Sequence, residues 1–122
     1  DTAVAHLLKK ETEASHYLAF STGGTIAWKA NLKGLPMKSL YAISATRVRM
    51  ENLKPDCNST LLYGENDKFR PDTAWSEKLD AEMEVVSNFG HELYTDEKII
   101  GKVCQDLLTA VTVKKNKTKK AV

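Results

Sequence analysis

Histidines, cysteines, paired glycines and a run of lysines are the residues of this chain whose types and spacing could do chemistry. The histidines are His6, His16 and His91. None stands at the i, i+4 spacing of a zinc-binding helix, and the acids near them are not arranged as ligands, so they read as solvated or partly packed side chains. Cys57 and Cys104 make neither a disulfide framework nor a metal set. Cys104 lies on an apolar stripe and reads as a buried free thiol, with a bridge as the alternative. A Cys–His pair for nucleophilic catalysis would need one of these thiols beside a histidine in space. Gly23-Gly24 lacks the Lys-Ser/Thr that completes a phosphate loop. No catalytic set is apparent, so the expectation is not an enzyme, with no metal and no cofactor.

The lysines say more. Lys114, Lys115, Lys117, Lys119 and Lys120 fall within nine residues at the C-terminal end. Such a block is a solvated end or an arm that meets phosphates, and one segment can be both. The formal charge of +2 hides segregation: residues 1–56 carry eight Lys and Arg against five Asp and Glu, and residues 57–113 carry five against eleven. A chain cationic at both ends and acidic between them suits contact with a polyanion.

Most of the elements that would position these residues look helical. Ile99, Ile100, Val103, Cys104, Leu107, Leu108 and Val111 recur at steps of three and four, with Thr95 as N-cap and Asp96 and Glu97 in the first turn. Trp75, Leu79, Met83, Val86, Phe89 and Leu93 form a second stripe, and a short turn between the two predicts an antiparallel hairpin. Upstream, residues 2–20 show a helical stripe that Ser21-Thr22-Gly23-Gly24 stops. Thr25 to Lys33 fits a helix or a strand, the helix being favoured. Gly34-Leu35-Pro36 opens another helix through Met37, Leu40, Tyr41 and Ile43. Asp56 to Pro71 reads as a connector. No uninterrupted apolar run is long enough to span a membrane, and the chain reads as intracellular, cytoplasmic or nucleoid. It begins at Asp1 rather than methionine, as a processed product or a piece of a longer chain would.

Residues 25–56 contain, in order, Ile26, Trp28-Lys29, Gly34-Leu35-Pro36, Leu40, Ala42-Ile43, Val48, Leu53 and Pro55-Asp56. This order resembles the second half of small Cro-type helix-turn-helix regulators. The resemblance implies a helical DNA-binding head whose reading helix begins near Ser21 and Thr22. It would turn Thr22, Thr25 and Lys29 to the major groove and use Lys33, Lys38, Arg47 and Arg49 as phosphate contacts. The alternative is that Ile26 and Trp28 are core and the basic residues a solvated face.

The resulting expectation is a mostly α protein: a small helical head, a two-helix C-terminal hairpin and a disordered basic tail. The divisions are a head over residues 1–56, a connector over 57–71, a hairpin over 72–113 and a tail over 114–122. Trp75, Leu79, Met83, Val86, Ile100, Val103 and Leu107 would pack or oligomerise, giving a homodimer or a protein partner. The expected function is a nucleic-acid-binding regulator, with DNA favoured over RNA. The alternative is a non-catalytic interaction module such as an adaptor, an inhibitor or a subunit of a larger assembly.

Overall fold

Leu40 to Ile43 and Leu61 to Tyr63 are apolar at every position, and runs of that kind bury both faces as strands inside a covered parallel sheet. The computed structural model describes the backbone of residues 15–121 and the side chains of residues 16–109. Its strands are β1 (Ser15–Phe20), β2 (Met37–Ile43), β3 (Asn58–Gly64) and β4 (Glu82–Val86). Its helices are α1 (Thr22–Leu32), α2 (Thr73–Leu79) and α3 (Glu97–Ala121). Single 3-10 turns lie at Val48–Met50 and His91–Thr95.

All four strands are parallel and stand in sequence order, with Ala19 beside Ala42, Ala42 beside Leu61 and Leu61 beside Met83. Alternate residues face opposite layers. Leu40, Ala42, Leu61 and Tyr63 pack with Trp28 and Ala30 of α1 and with Trp75 and Leu79 of α2. Tyr41, Ile43 and Leu62 pack on the other face with Ile99 and Val103 of α3. Trp28 is fully buried, and its indole N–H donates to Leu53 O at 3.0 Å, pinning the loop after β2 to α1. Losing a side chain of that size from the core costs about 3–5 kcal/mol.

This architecture is α/β, which corrects the expected mostly α fold. The stretch from Met37 to Ile43 has apolar residues at helical spacing, but a run this short satisfies both periods, and its neighbours decide it. The supposed connector holds β3. The supposed hairpin breaks at Asp80, where a left-handed backbone with φ 52° ends α2, and its second half becomes β4. Gly23 and Gly24 open α1 instead of stopping a helix; Gly24 lets α1 lie close to the loop after β2, where a Cβ would stand 2.9 Å from Ala45 Cβ. The helical backbone of α3 continues to Ala121, where a disordered tail was expected from residue 114. Asp96 caps α3 rather than Thr95, its carboxylate accepting from Lys98 N and Ile99 N at 3.0 and 3.1 Å. Cys57 is half-buried and Cys104 exposed, both unbridged, so Cys104 points away from the core. The helical stripe expected over residues 2–20 is corrected over its described part: Ser15–Phe20 is strand β1, a short run whose neighbour β2 decides it, and residues 2–14 lie outside the described residues.

Candidate active site

The carboxyl ends of parallel strands are where open α/β sheets bind ligands, because loops from successive strands converge there. Here the turn after β1 carries Ser21, the loop after β2 carries Ser44, the loop after β3 carries Asp67, and the segment after β4 carries His91.

Ser21 holds φ 52° and ψ −126°, a sparsely populated conformation for a residue with a Cβ. Strain of this kind costs roughly 1–3 kcal/mol and persists where the surroundings fix it. Ser21 N donates to Ile43 O at 2.8 Å, and Gly24 N donates back to Ser21 O at 3.0 Å. The sharp strand-to-helix turn leaves the hydroxyl projecting above the sheet, as in the Gly-x-Ser-x-Gly pattern, written here Ala19-Phe20-Ser21-Thr22-Gly23.

Ser21 Oγ lies 3.0 Å from His91 Nε2, and His91 Nδ1 lies 3.0 Å from Asp67 Oδ2. With the Nδ1 proton donated to Asp67, the Nε2 lone pair accepts from the serine hydroxyl, so one tautomer satisfies both bonds. The Asp67 side chain is fully buried. A turn holds it: Asp67 N donates to Gly64 O at 3.1 Å, and Phe69 N donates to Asp67 Oδ1 at 2.9 Å.

His91 is fixed from both backbone and ring. Ser44 Oγ donates to His91 O at 2.7 Å, while Phe69 and Tyr94 stand edge-on to the imidazole at 5.3 and 6.1 Å between ring centres. Thr22, the residue after the serine, opens α1, and N–H groups in a helix's first turn have no intrahelical partner. The dipole of α1 points its positive end at the same place. A serine hydroxyl, an imidazole, a buried carboxylate and the free N–H groups of a helix start therefore meet at one end of the sheet, the arrangement that could supply a nucleophile, a base, an orienting acid and an oxyanion donor.

Burial raises the Tyr63 hydroxyl above its ordinary range, with the Asp67 charge adding to the shift and Arg49 opposing it. Tyr63 thus stays a neutral donor, holding Ala45 O at 2.9 Å beneath the loop after β2. A recess of about 590 Å³ opens at the other ends of the strands, lined by His16, Ser39, Thr60, Glu82, Lys102 and Asp106 among others. It shares no residue with Ser21, Asp67 or His91. Among the described residues no group of three or more His, Cys, Asp and Glu is placed to hold a metal ion.

The residues expected to bind nucleic acid are spread out. Thr22 is exposed beside Ser21, but Thr25 is buried and its Oγ1 accepts from Arg47 N at 2.9 Å. Lys29 is half-buried on α1, Lys33 caps its C-terminus, and Lys38 lies at the opposite end of β2. Arg47 and Arg49 follow β2. The side chains of Lys114, Lys115, Lys117, Lys119 and Lys120 lie outside the described residues. The expected interface residues divide between the two faces of the sheet. Trp75, Leu79 and Met83 join one core, Val86, Val103 and Leu107 the other, and Ile100 is exposed.

Sequence reasoning missed all three members of the constellation. The available signal was a β-like run, Tyr17 to Phe20, leading straight into Ser-x-Gly.

No protein-family model matches the chain, and no curated protein matches it. Solved structures do. A "predicted CIB-like hydrolase" from Thermoplasma acidophilum shares 18% identity at a TM-score of 0.68, over 87% of this chain and 57% of that one. A protein of unknown function from Agrobacterium tumefaciens, proposed to be an alpha/beta hydrolase, shares 15% identity at a TM-score of 0.60, over 76% of this chain and 49% of that one. The chain spans about half the length of the solved structures it matches. At this identity the likeness establishes the fold, an alpha/beta fold resembling those hydrolases. It overturns the resemblance to Cro-type regulators, whose helical head cannot contain a parallel sheet, and with it the expected DNA-binding regulator and the expectation of no enzyme, and it lends the interaction-module alternative no support. No helix among the described residues is long and apolar enough to cross a membrane.

Proposed function

We propose that this chain carries the catalytic groups of a serine hydrolase that cleaves esters or related acyl bonds through an acyl-serine intermediate. The observation that carries the proposal is the continuous hydrogen-bonded line from Ser21 Oγ through His91 to buried Asp67, with 3.0 Å at each step, on a strained turn. The fold shared with two hydrolase-like structures supports it as analogy.

Ser21 Oγ attacks the acyl carbon as its proton passes to His91 Nε2, and Asp67 stabilises the imidazolium that forms. The carbonyl oxygen takes the negative charge facing Thr22 N–H at the positive end of α1. Collapse breaks the bond to the leaving group, which takes the proton from His91. Water then gives a proton to His91 and attacks the acyl-serine, releasing the acid and returning the proton to Ser21 Oγ.

The test is phosphonofluoridate labelling together with hydrolysis of a p-nitrophenyl ester. Labelling confined to Ser21, and turnover abolished by Ser21→Ala, are expected. A folded wild-type chain that does neither sinks the proposal. A cytoplasmic location belongs to the same proposal and is supported by two unbridged thiols, one of them exposed; fractionation with the membranes would overturn it.

A further inference from the structure

We infer that the hydrolase site selects substrates whose acyl chain carries a negative charge, read by Arg49 and Lys68 around the Phe69 ring. The inference rests on the serine-hydrolase reading and names its substrate class.

Phe69 links the catalytic base to two cations. Its ring meets the His91 imidazole edge-on at 5.3 Å between centres, while Arg49 Cζ lies 5.6 Å from its centre and Lys68 Nζ 5.2 Å. A cation near an aromatic ring is held in place yet keeps most of its N–H donors. The Arg49 guanidinium gives one of its donors to Thr46 O and has others to offer. Among the described residues neither Arg49 nor Lys68 forms an ion pair, although acidic side chains outnumber basic ones across residues 57–113.

Lys68 is exposed and Arg49 half-buried. Two like charges placed about one ring, without an ion pair and one ring away from the catalytic base, make a local positive field at the site mouth. Arg47 and Arg70 lie on the same two loops, and Arg70 Nε is buried with no hydrogen-bond partner among the described residues. A planar guanidinium beside an ammonium fits a carboxylate or a phosphate. An uncharged acyl chain gains nothing from either cation.

The discriminating experiment compares two p-nitrophenyl esters of equal chain length, the monoglutarate and the valerate, on the 122-residue chain. The monoglutarate is expected to show the higher kcat/KM, with a preference that shrinks as salt is raised. Arg49→Gln and Lys68→Gln should each lower the anionic-to-neutral ratio of kcat/KM about tenfold, the scale of one charged hydrogen bond. Lys78→Gln, on the exposed side of α2, should leave that ratio in place. Competition by glutarate against inorganic phosphate at constant ionic strength then identifies the preferred anion. A ratio at or below one, a ratio unmoved in both variants, or competition by neither anion overturns the inference while leaving the hydrolase standing. A wild-type chain that neither labels at Ser21 nor turns over the valerate overturns both.

Discussion

Gly64 lies against the carbonyl of Gly90 so closely that a Cβ on Gly64 would stand 2.5 Å from Gly90 O and 2.3 Å from Phe89 O. The end of β3 and the segment that delivers His91 touch backbone to backbone, which brings His91 within reach of Asp67, three residues beyond Gly64. Gly64→Ala must therefore push one segment away. Overpacking against rigid backbone costs about 1–3 kcal/mol. Esterase activity is expected to fall more steeply than stability, because the His91 to Asp67 distance changes first. Thermal melting set beside kcat checks this, and equal kcat in a variant with a lowered Tm would refute it.

Ser44 is the second tether. It holds φ 56°, a left-handed conformation rare for serine, and spends its hydroxyl on His91 O at 2.7 Å. Ser44→Ala keeps the strain and removes the hydrogen bond to the part-buried His91 carbonyl, at a cost of about 1 kcal/mol. Ser44→Gly also loses the bond but relieves the backbone, so it should be the more stable of the two while remaining impaired in turnover. Urea midpoints and kcat for the pair separate strain from tethering. Alanine more stable than glycine would show that the strain account is wrong.

On the other face, α3 is fastened to the sheet by Lys102, whose Nζ lies 2.9 Å from both Asp106 and Glu84, and by Tyr41, whose hydroxyl donates to Asp106 at 3.0 Å. The hydrogen bond to Asp106, and after it the one to Glu84, raise the Lys102 pKa. Burial, followed by Asp106, raises that of Tyr41, and burial also raises that of Tyr63. Each group binds its proton more tightly folded than unfolded. The stability they contribute is whole below the unfolded values, about 10 for both residue types, and is lost as pH rises through the folded ones. Unfolding in urea should thus become easier at pH above about 10, and Tyr41→Phe should show a smaller alkaline loss. An alkaline midpoint equal to the neutral one would contradict this.

The helices are more legible in the sequence than the sheet. Residues 97–109 keep a helical stripe long enough to exclude a strand, and Gly34-Leu35-Pro36 marks a real break. The strands are hidden because each is five to seven residues long. Leu40, Tyr41 and Ile43 therefore satisfy helical and extended spacing alike until α1 and α3 cover both faces. Glu82-Met83-Glu84 continues the apolar spacing set by Trp75 and Leu79, and only the left-handed Asp80 separates helix from strand. The site is harder still. Ser21 and His91 are 70 residues apart and His91 and Asp67 are 24 apart, so no local window holds two of them. Only the strand–Ser-x-Gly turn is local, and its paired glycines hide it, since in isolation they read as a helix stop.

Asp67 offers the sharpest test of how the site works. Its carboxylate is sealed from solvent and accepts from Phe69 N through one oxygen and from His91 Nδ1 through the other. Asp67→Asn preserves shape but can turn an amide N–H toward Nδ1. That favours the tautomer with its proton on Nε2, where it can no longer accept from Ser21 Oγ. In chymotrypsin-type triads the same exchange lowers kcat about 10⁴-fold, and a loss of roughly 10³-fold or more is expected here if His91 works as the base. The variant should fold, since the Phe69 N–H can still bond to the amide oxygen. Phosphonofluoridate labelling of Ser21 should slow in parallel with ester turnover, because both need the serine proton removed. Turnover lost with labelling unchanged would mean that Asp67 acts after acylation, in deacylation alone.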